Sequence, residues 1–230
     1  TDASVRPETL SRLLRPTVAR TWNQTSIDGD QSTNDTVLLV ASGAAGAIPL
    51  EDDSEALSAF GQAVEAVARS LARQQAADGE GATTLITCRV SGGRSDADAR
   101  AAARAVVSSD LLKAAVHAAD PTWGRIATAV GNAELASAES LEAAGLDPEA
   151  AGASAGRPVA LDPDRLQIDI EGTPVFAGVP LEYDEAVLSK RMRDGEVLIR
   201  VDLGLGEGTG EAFGCDLTCE YVIENSEYST

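Results

Sequence analysis

The residues best suited to chemistry are concentrated in a polar stretch, residues 26–36, that runs directly into four apolar residues, 37–40. Its Asp, Ser, Thr, Asn and Gly residues favour tight turns and hydrogen-bond to nearby backbone. The apolar run predicts a buried strand that extends to residue 42. A polar loop on a rigid strand is typical of a functional site, but this window taken alone fits a well-capped surface turn equally well.

Several familiar kinds of site lack the residues they need. The sequence has one histidine, His117, which leaves almost no material for a Ser-His-Asp site or a multi-histidine metal site. The Ala-rich context of His117 favours a packing or capping role. Cys215 and Cys219 have no second cysteine pair, so we predict no metal site. The alternate glycines of residues 204–210 precede a poor helix start, which predicts a glycine-rich hairpin and not a nucleotide-binding loop.

Apolar periodicity predicts mixed α and β elements that could position such a loop. Helices are expected over residues 6–22 (with a kink or break at Pro16), 54–77, 95–118 (in one or two pieces) and 184–192. Strands are expected over residues 85–90, 166–170, 175–177, 197–203 and 218–224. Residues 134–160 have little periodicity and predict a surface excursion with a helical turn or two. The fold class predicted is α/β, a layered α+β sandwich with a smaller strand-rich C-terminal domain.

The charge of the chain excludes two classes of partner. Asp and Glu total 37 against 18 basic residues, a net charge of −19, and only Lys113 and Lys190 are lysines. Such a surface repels nucleic acid and anionic membranes. It predicts a halophilic source, with an ordinary acidic protein from a GC-rich genome as the alternative. No apolar run approaches the roughly 18 residues of a membrane span, and three cysteines suit a reducing compartment, so we predict a cytoplasmic protein.

Five windows in order carry a resemblance to a known family. They are residues 26–36, 78–83 (Asp-Gly-Glu-Gly-Ala-Thr), 120–125 (Asp-Pro-Thr-Trp-Gly-Arg), 214–218 (Gly-Cys-Asp-Leu-Thr) and 225–230 (Asn-Ser-Glu-Tyr-Ser-Thr). With them the chain resembles the β chain of the ornithine acetyltransferase (glutamate N-acetyltransferase) family of arginine biosynthesis, everywhere except residues 134–160. The resemblance implies a DmpA/ornithine-acetyltransferase-like fold. It also implies that residues 1–84 share a catalytic domain with a separate α chain, and that residues 85–230 form the C-terminal domain.

The resemblance also implies a mechanism. Family members cleave themselves before a threonine, and the α and β chains stay together, typically as α2β2. The freed threonine takes acetyl from N-acetylornithine, releases ornithine and passes the acetyl group to glutamate without a cofactor, and its own α-amine can serve as the base. The Thr-Asp-Ala segment at Thr1 matches a family segment several residues downstream of that nucleophile. The nucleophile is therefore expected upstream of Thr1, unless the cleavage point is shifted.

Three residues match the substrate-binding residues of the family: Glu80, Asn225 and Thr230. A fixed carboxylate at Glu80 would hold an ammonium group of ornithine or glutamate. The sequence departs from the family at Thr84, where a lysine is usual, and at His117, where an aromatic residue is usual. Two alternatives stay open at this point: a paralogue that also uses acetyl-CoA, and a non-catalytic binding or assembly subunit.

Overall fold

A six-stranded mixed sheet organises the part of the chain that the structure, a computed structural model, describes: residues 1–46 and 48–227. Its strands in chain order are β1 (Thr25–Ser26), β2 (Leu85–Gly93), β3 (Gln167–Ile170), β4 (Thr173–Ala177), β5 (Glu196–Asp202) and β6 (Gly208–Cys215). The spatial order is β1-β6-β2-β5-β3-β4. The buried apolar strand β2 therefore lies inside the sheet, parallel to β5 on one side and antiparallel to β6 on the other.

Nine α-helices accompany the sheet within the described residues. They are α1 (Pro7–Arg20), α2 (Ser54–Ala77), α3 (Asp96–Val107), α4 (Asp110–His117), α5 (Trp123–Gly131), α6 (Ala138–Ala143), α7 (Pro148–Ser154), α8 (Glu185–Arg191) and α9 (Cys219–Glu227). Side-chain caps fix many of their starts; at α3, for example, Ser95 Oγ accepts the Asp98 N–H at 3.2 Å. In the described ranges, no helix is long and apolar enough to cross a membrane.

Strand alternation gives the sheet two apolar faces, each covered by a helix. Ala212 and Phe213 are neighbours on β6, yet they belong to different buried clusters because consecutive side chains point to opposite faces. On the Ala212 face lies α3, whose alanines approach so closely that a Cβ on Gly210 would lie 2.5 Å from the Arg100 nitrogen. On the Phe213 face lie Ala72 and Ala76 of α2. The predicted layered α/β architecture is confirmed.

The predicted strand over residues 37–42 is wrong for this chain. The segment has no regular secondary structure, and Leu38 and Val40 are 78% and 66% exposed. Its backbone contacts are with the first residues of the chain: the Thr1 ammonium donates to Val40 O at 2.9 Å, and Ser42 N donates to Thr1 O at 3.0 Å. An apolar run becomes a buried strand only where a neighbouring strand and a covering layer exist, and the described residues provide neither here.

The predictions for the C-terminal strands also need correction. Residues 218–224 form the start of α9 and not a strand, because Thr218 Oγ1 accepts the Tyr221 N–H at 3.1 Å and caps the helix. The last strand is β6. The glycine-rich residues 204–210 do not form a hairpin, because β2 lies between β5 and β6 in the sheet. They carry the chain across the end of β2 into β6.

Three further expectations concern chain organisation. The helix α1 is not interrupted at Pro16, which lies inside it. The surface excursion of residues 134–160 carries the short helices α6 and α7, and it buries Leu141 and Ala151 in the main core. A division of the chain at residue 84 stays a prediction; β1, from the first part, pairs in parallel with β6, from the second.

Candidate active site

Two glycines allow the turn that carries Glu80 to press against its neighbours. The turn follows α2 and is closed by a hydrogen bond from Ala82 N to Gly79 O at 2.9 Å. A Cβ on Gly79 would lie 2.9 Å from Cys215 Sγ, and one on Gly81, where φ is +62°, would lie 2.6 Å from the Tyr221 nitrogen. Only glycine fits either position without displacement. The Glu80 side chain itself is exposed.

Asp216, just after β6, accepts four hydrogen bonds beneath this turn. Oδ1 accepts the N–H groups of Thr83 and Thr84 at 2.8 and 2.9 Å, and Oδ2 accepts the Thr83 hydroxyl at 2.6 Å. His117 Nδ1 lies 2.9 Å from the same Oδ2, and the Asp216 side chain has no solvent exposure. Burial works to raise the pKa of Asp216, but the hydrogen bonds from Thr83, Thr84 and His117 outweigh it and lower that pKa below its ordinary value.

The polar loop of residues 26–36 is joined to the C-terminal helix through Asp28. Its Oδ2 accepts the Tyr221 hydroxyl at 2.9 Å, and its Oδ1 accepts the Asp30 N–H at 2.9 Å. The bond to the Asp28 carboxylate is the largest cause that raises the pKa of Tyr221 to about 12. Within the loop, Ser32 Oγ accepts the N–H groups of Asn34 and Asp35, so the predicted side-chain to backbone bonding is confirmed.

A buried lysine ties the base of this loop to the end of β6. Lys113, on α4, is fully buried, and its Nζ donates to Cys215 O at 2.6 Å and to Ser26 O at 3.2 Å. Burial lowers the pKa of Lys113, because removal from water disfavours the charged form. The two carbonyl oxygens belong to the ends of β1 and β6, which pair in parallel at Ser26 and Gly214.

The structure brings two of the three predicted binding residues to one open depression. Glu80 and Asn225 both line it, together with Asp28 and all of residues 30–38. Asn225 is exposed on α9, and its Nδ2 donates to Tyr221 O at 3.0 Å. Thr230 lies outside the described residues. The depression is polar at this end and extends along α3 towards α6.

The window of residues 120–125 does not line the depression. It packs elsewhere: Trp123 stacks on Phe176 with ring centroids 4.7 Å apart, and Tyr183 Oη donates to Pro121 O at 3.1 Å. Its last three residues are the first three of α5.

Sequence reasoning gave no role to four residues that build the site: Asp28, Lys113, Asp216 and Tyr221. Asp28 and Asp216 lie in windows that it singled out only as stretches. Lys113 gave a signal, because it is one of two lysines in the chain and stands in an apolar helical stretch. Asp216 gave another, as an acidic residue between Cys215 and Leu217. The expected packing or capping role of His117 is replaced by its contact with Asp216.

Comparison with known proteins identifies the family. The ArgJ family model matches residues 1–230. The arginine biosynthesis bifunctional protein ArgJ of Deinococcus radiodurans is 46% identical over 230 residues, which cover 100% of this chain and 51% of that protein. The glutamate N-acetyltransferase of Methanopyrus kandleri is 39% identical over 234 residues, covering 100% of this chain and 54% of that protein. The chain thus spans about half the length of these curated relatives.

A solved structure has the same fold. The crystal structure of the arginine biosynthesis bifunctional protein of Bacillus halodurans aligns with a TM-score of 0.85 and 33% identity, covering 99% of this chain and 96% of that chain. Both the predicted ornithine-acetyltransferase-like fold and the family resemblance are confirmed. The chain belongs to the ArgJ family.

Proposed function

We propose that this chain is the β half of a glutamate N-acetyltransferase of arginine biosynthesis, which moves acetyl from N-acetylornithine to glutamate. The observation that carries the proposal is the shared depression: the exposed Glu80 carboxylate and the Asn225 amide both open into it. A carboxylate held on a rigid turn binds an ammonium group, and a neighbouring amide can bind a carboxylate or carbonyl. An amino acid carries both an ammonium group and a carboxylate. The names of two relatives, arginine biosynthesis bifunctional protein and glutamate N-acetyltransferase, agree.

The proposed chemistry is ping-pong acyl transfer through a threonine upstream of Thr1. The threonine hydroxyl oxygen attacks the acetyl carbonyl carbon, and its proton passes by way of the threonine α-amine to the departing ornithine nitrogen. The acetyl carbon–nitrogen bond breaks, leaving a threonyl ester. The amine of glutamate then attacks the ester, N-acetylglutamate leaves, and a proton returns to the threonine oxygen. Thr1 does not line the depression, which supports a nucleophile upstream of it.

The proposed partner is an α chain cut from the same precursor, in an α2β2 assembly. Large apolar side chains that a folded protein normally covers support it: Leu38, Val40, Ile48, Val67 and Leu71 are each about half exposed or more. The lengths of the relatives also support an α chain. This chain covers 96% of the solved chain, whereas it covers only 51% of the Deinococcus radiodurans protein. We expect Leu38→Asp in the full-length protein to release the α chain on size-exclusion chromatography, with Leu111→Asp, an exposed leucine on α4, as its control. Co-elution of both chains in L38D would contradict this interface.

The proposed setting is the cytoplasm. A halophilic source stays a prediction from the −19 net charge. A second donor, acetyl-CoA, is the alternative that one observation favours, because the relatives are named bifunctional.

The test of the proposed function is an acetyl-transfer assay on the full-length gene product. Glutamate-dependent release of ornithine from N-acetylornithine is measured, with acetyl-CoA as a separate donor. Glu80→Gln should raise both Michaelis constants about tenfold, the typical worth of one charge-assisted hydrogen bond. Glu207→Gln, a change at an exposed glutamate outside the depression, should leave them unchanged. Absence of transfer from either donor in the wild-type protein would leave only the binding or assembly subunit.

A further inference from the structure

Asp216 is hydrogen-bonded to the end of the Glu80 turn through both its side chain and its backbone. Both of its oxygens are filled, Oδ1 by two backbone N–H groups and Oδ2 by the Thr83 hydroxyl and His117. Its own N–H donates to Thr84 O at 3.0 Å, so the backbone binds one of the two residues that the side chain binds, Thr83 and Thr84. These residues begin three positions after Glu80. The path of the turn beyond Glu80 is therefore set by Asp216.

The same short segment also fixes the start of the helix that carries Asn225. Thr218 Oγ1 donates to Gly81 O at 2.8 Å and accepts the Tyr221 N–H at 3.1 Å. Tyr221 in turn accepts the bond from the Asn225 side chain. Residues 216–218 thus contact the turn of Glu80 on one side and the first turn of α9 on the other.

We propose that Asp216 is a positioning residue that sets the distance and direction of the Glu80 carboxylate relative to Asn225. It acts through the Gly79–Thr84 backbone and does not line the depression itself. This inference rests on the proposed function, because it assigns Asp216 to the binding of that substrate. A substrate held at two points loses affinity when either point moves by a fraction of an ångström.

A carboxylate is the side chain that this position requires. Four donors converge on two oxygens, and only an ionised carboxylate offers that many acceptor sites with no hydrogen of its own. In Asp216→Asn the neutral amide bonds more weakly than the carboxylate, and its nitrogen cannot accept. Either the two backbone N–H groups lose their acceptor, or the Thr83 hydroxyl and His117 must change from donor to acceptor. The turn is then held less firmly, and the Glu80 carboxylate loses its fixed position.

The test is a double-mutant cycle between Asp216→Asn and Glu80→Gln in the full-length protein, with kcat and KM for N-acetylornithine and glutamate as readouts. D216N alone should raise KM about tenfold, with a smaller fall in kcat, because hydrogen bonds to a buried charge are worth about that factor. In the E80Q background D216N should raise KM by no more than about twofold, because E80Q has already removed the carboxylate that Asp216 positions.

A matched control separates positioning from loss of stability. Asp98 is as buried as Asp216 and accepts bonds from the Ser95 hydroxyl and Arg157, but it serves the start of α3. Asp98→Asn should lower the unfolding temperature without changing KM. Should D216N not fold, Thr83→Val replaces it: this change removes one bond to Asp216 at an exposed position. T83V should raise KM about threefold, and only when Glu80 is present.

Each outcome decides one question. If the wild type transfers no acetyl group, the proposed function fails and the inference fails with it. If the wild type transfers acetyl but E80Q has unchanged KM values, Glu80 has no binding role, and the inference fails while the transfer reaction stands. If E80Q is impaired but D216N behaves like D98N, or if the D216N and E80Q effects multiply independently, the positioning role is overturned while the proposed function stands. A KM effect of D216N that disappears in E80Q supports the inference.

Discussion

Replacement of Gly81 by alanine is a direct test of how tightly the Glu80 turn is held. At φ +62° an alanine costs about 1–2 kcal/mol of backbone strain. Its Cβ would also lie 2.6 Å from the Tyr221 nitrogen and 2.8 Å from two atoms of Glu220, none of them the free end of a side chain. Such overpacking costs a further 1–3 kcal/mol or so. We therefore expect a total destabilisation of about 3 kcal/mol, which lowers the unfolding temperature by roughly 6–12 °C.

Gly172→Ala isolates the steric part of this effect. Gly172 has φ +74° in the turn between β3 and β4, and a Cβ there would meet no atom within 4 Å. It should therefore lose only about 1–2 kcal/mol, the backbone contribution. Thermal unfolding of the two full-length variants, followed by circular dichroism, measures the difference. Equal unfolding temperatures for G81A and G172A would refute the close contact between the turn and the start of α9.

Three more predictions concern the groups around the turn. Lys113→Met should cost about 2–4 kcal/mol in urea unfolding, because it leaves the Ser26 and Cys215 carbonyls without their cation, whereas Lys190→Met, at an exposed position, should change nothing. Tyr221→Phe should raise KM about threefold by freeing the loop at Asp28, and an unchanged KM would show that this bond does not hold the loop. Because the pKa of Asp216 is lowered in the folded state, its contribution to stability is complete above its ordinary value of 3.8 and is lost as the pH falls through the folded-state pKa. The stability difference between wild type and D216N should thus shrink below about pH 4, and a constant difference in acid unfolding would contradict it.

Much of the fold follows from local pattern, and the exceptions share a cause. The helices α2 and α3 and the strands β2 and β5 are predicted because their apolar period and caps agree with their burial. Residues 37–42 are apolar enough for a buried strand, but burial needs a neighbour that these described residues do not contain. No local pattern records that requirement.

In the C-terminal helix α9, the strand propensity of the local sequence is outweighed by a helix cap. Tyr221, Val222 and Ile223 favour a strand by propensity. The Thr218 hydroxyl instead fixes the first helical turn, and its own proton is bonded to Gly81 O, which is 137 residues away. The contact decides the structure, and the sequence around residue 218 does not show it.

The residues of the candidate site also fall into two groups, those that a short motif predicts and those that only long-range contacts bring together. Glu80 and Asn225 could be predicted because each belongs to a short motif that resembles a family motif. The pairs that hold them, Asp28 with Tyr221 and Asp216 with Thr83, join residues 193 and 133 positions apart. Separations of this size are set by the strand order of the sheet, which the sequence pattern alone left open.

The central claim, acyl transfer through a threonine upstream of this chain, is tested most directly by intact-protein mass spectrometry of the full-length product. The protein is measured before and after incubation with N-acetylornithine. We predict two fragments, with an added mass of about 42 Da on the N-terminal threonine of the second fragment, lost again when glutamate is added. A single uncleaved chain that gains no mass with N-acetylornithine would contradict the account.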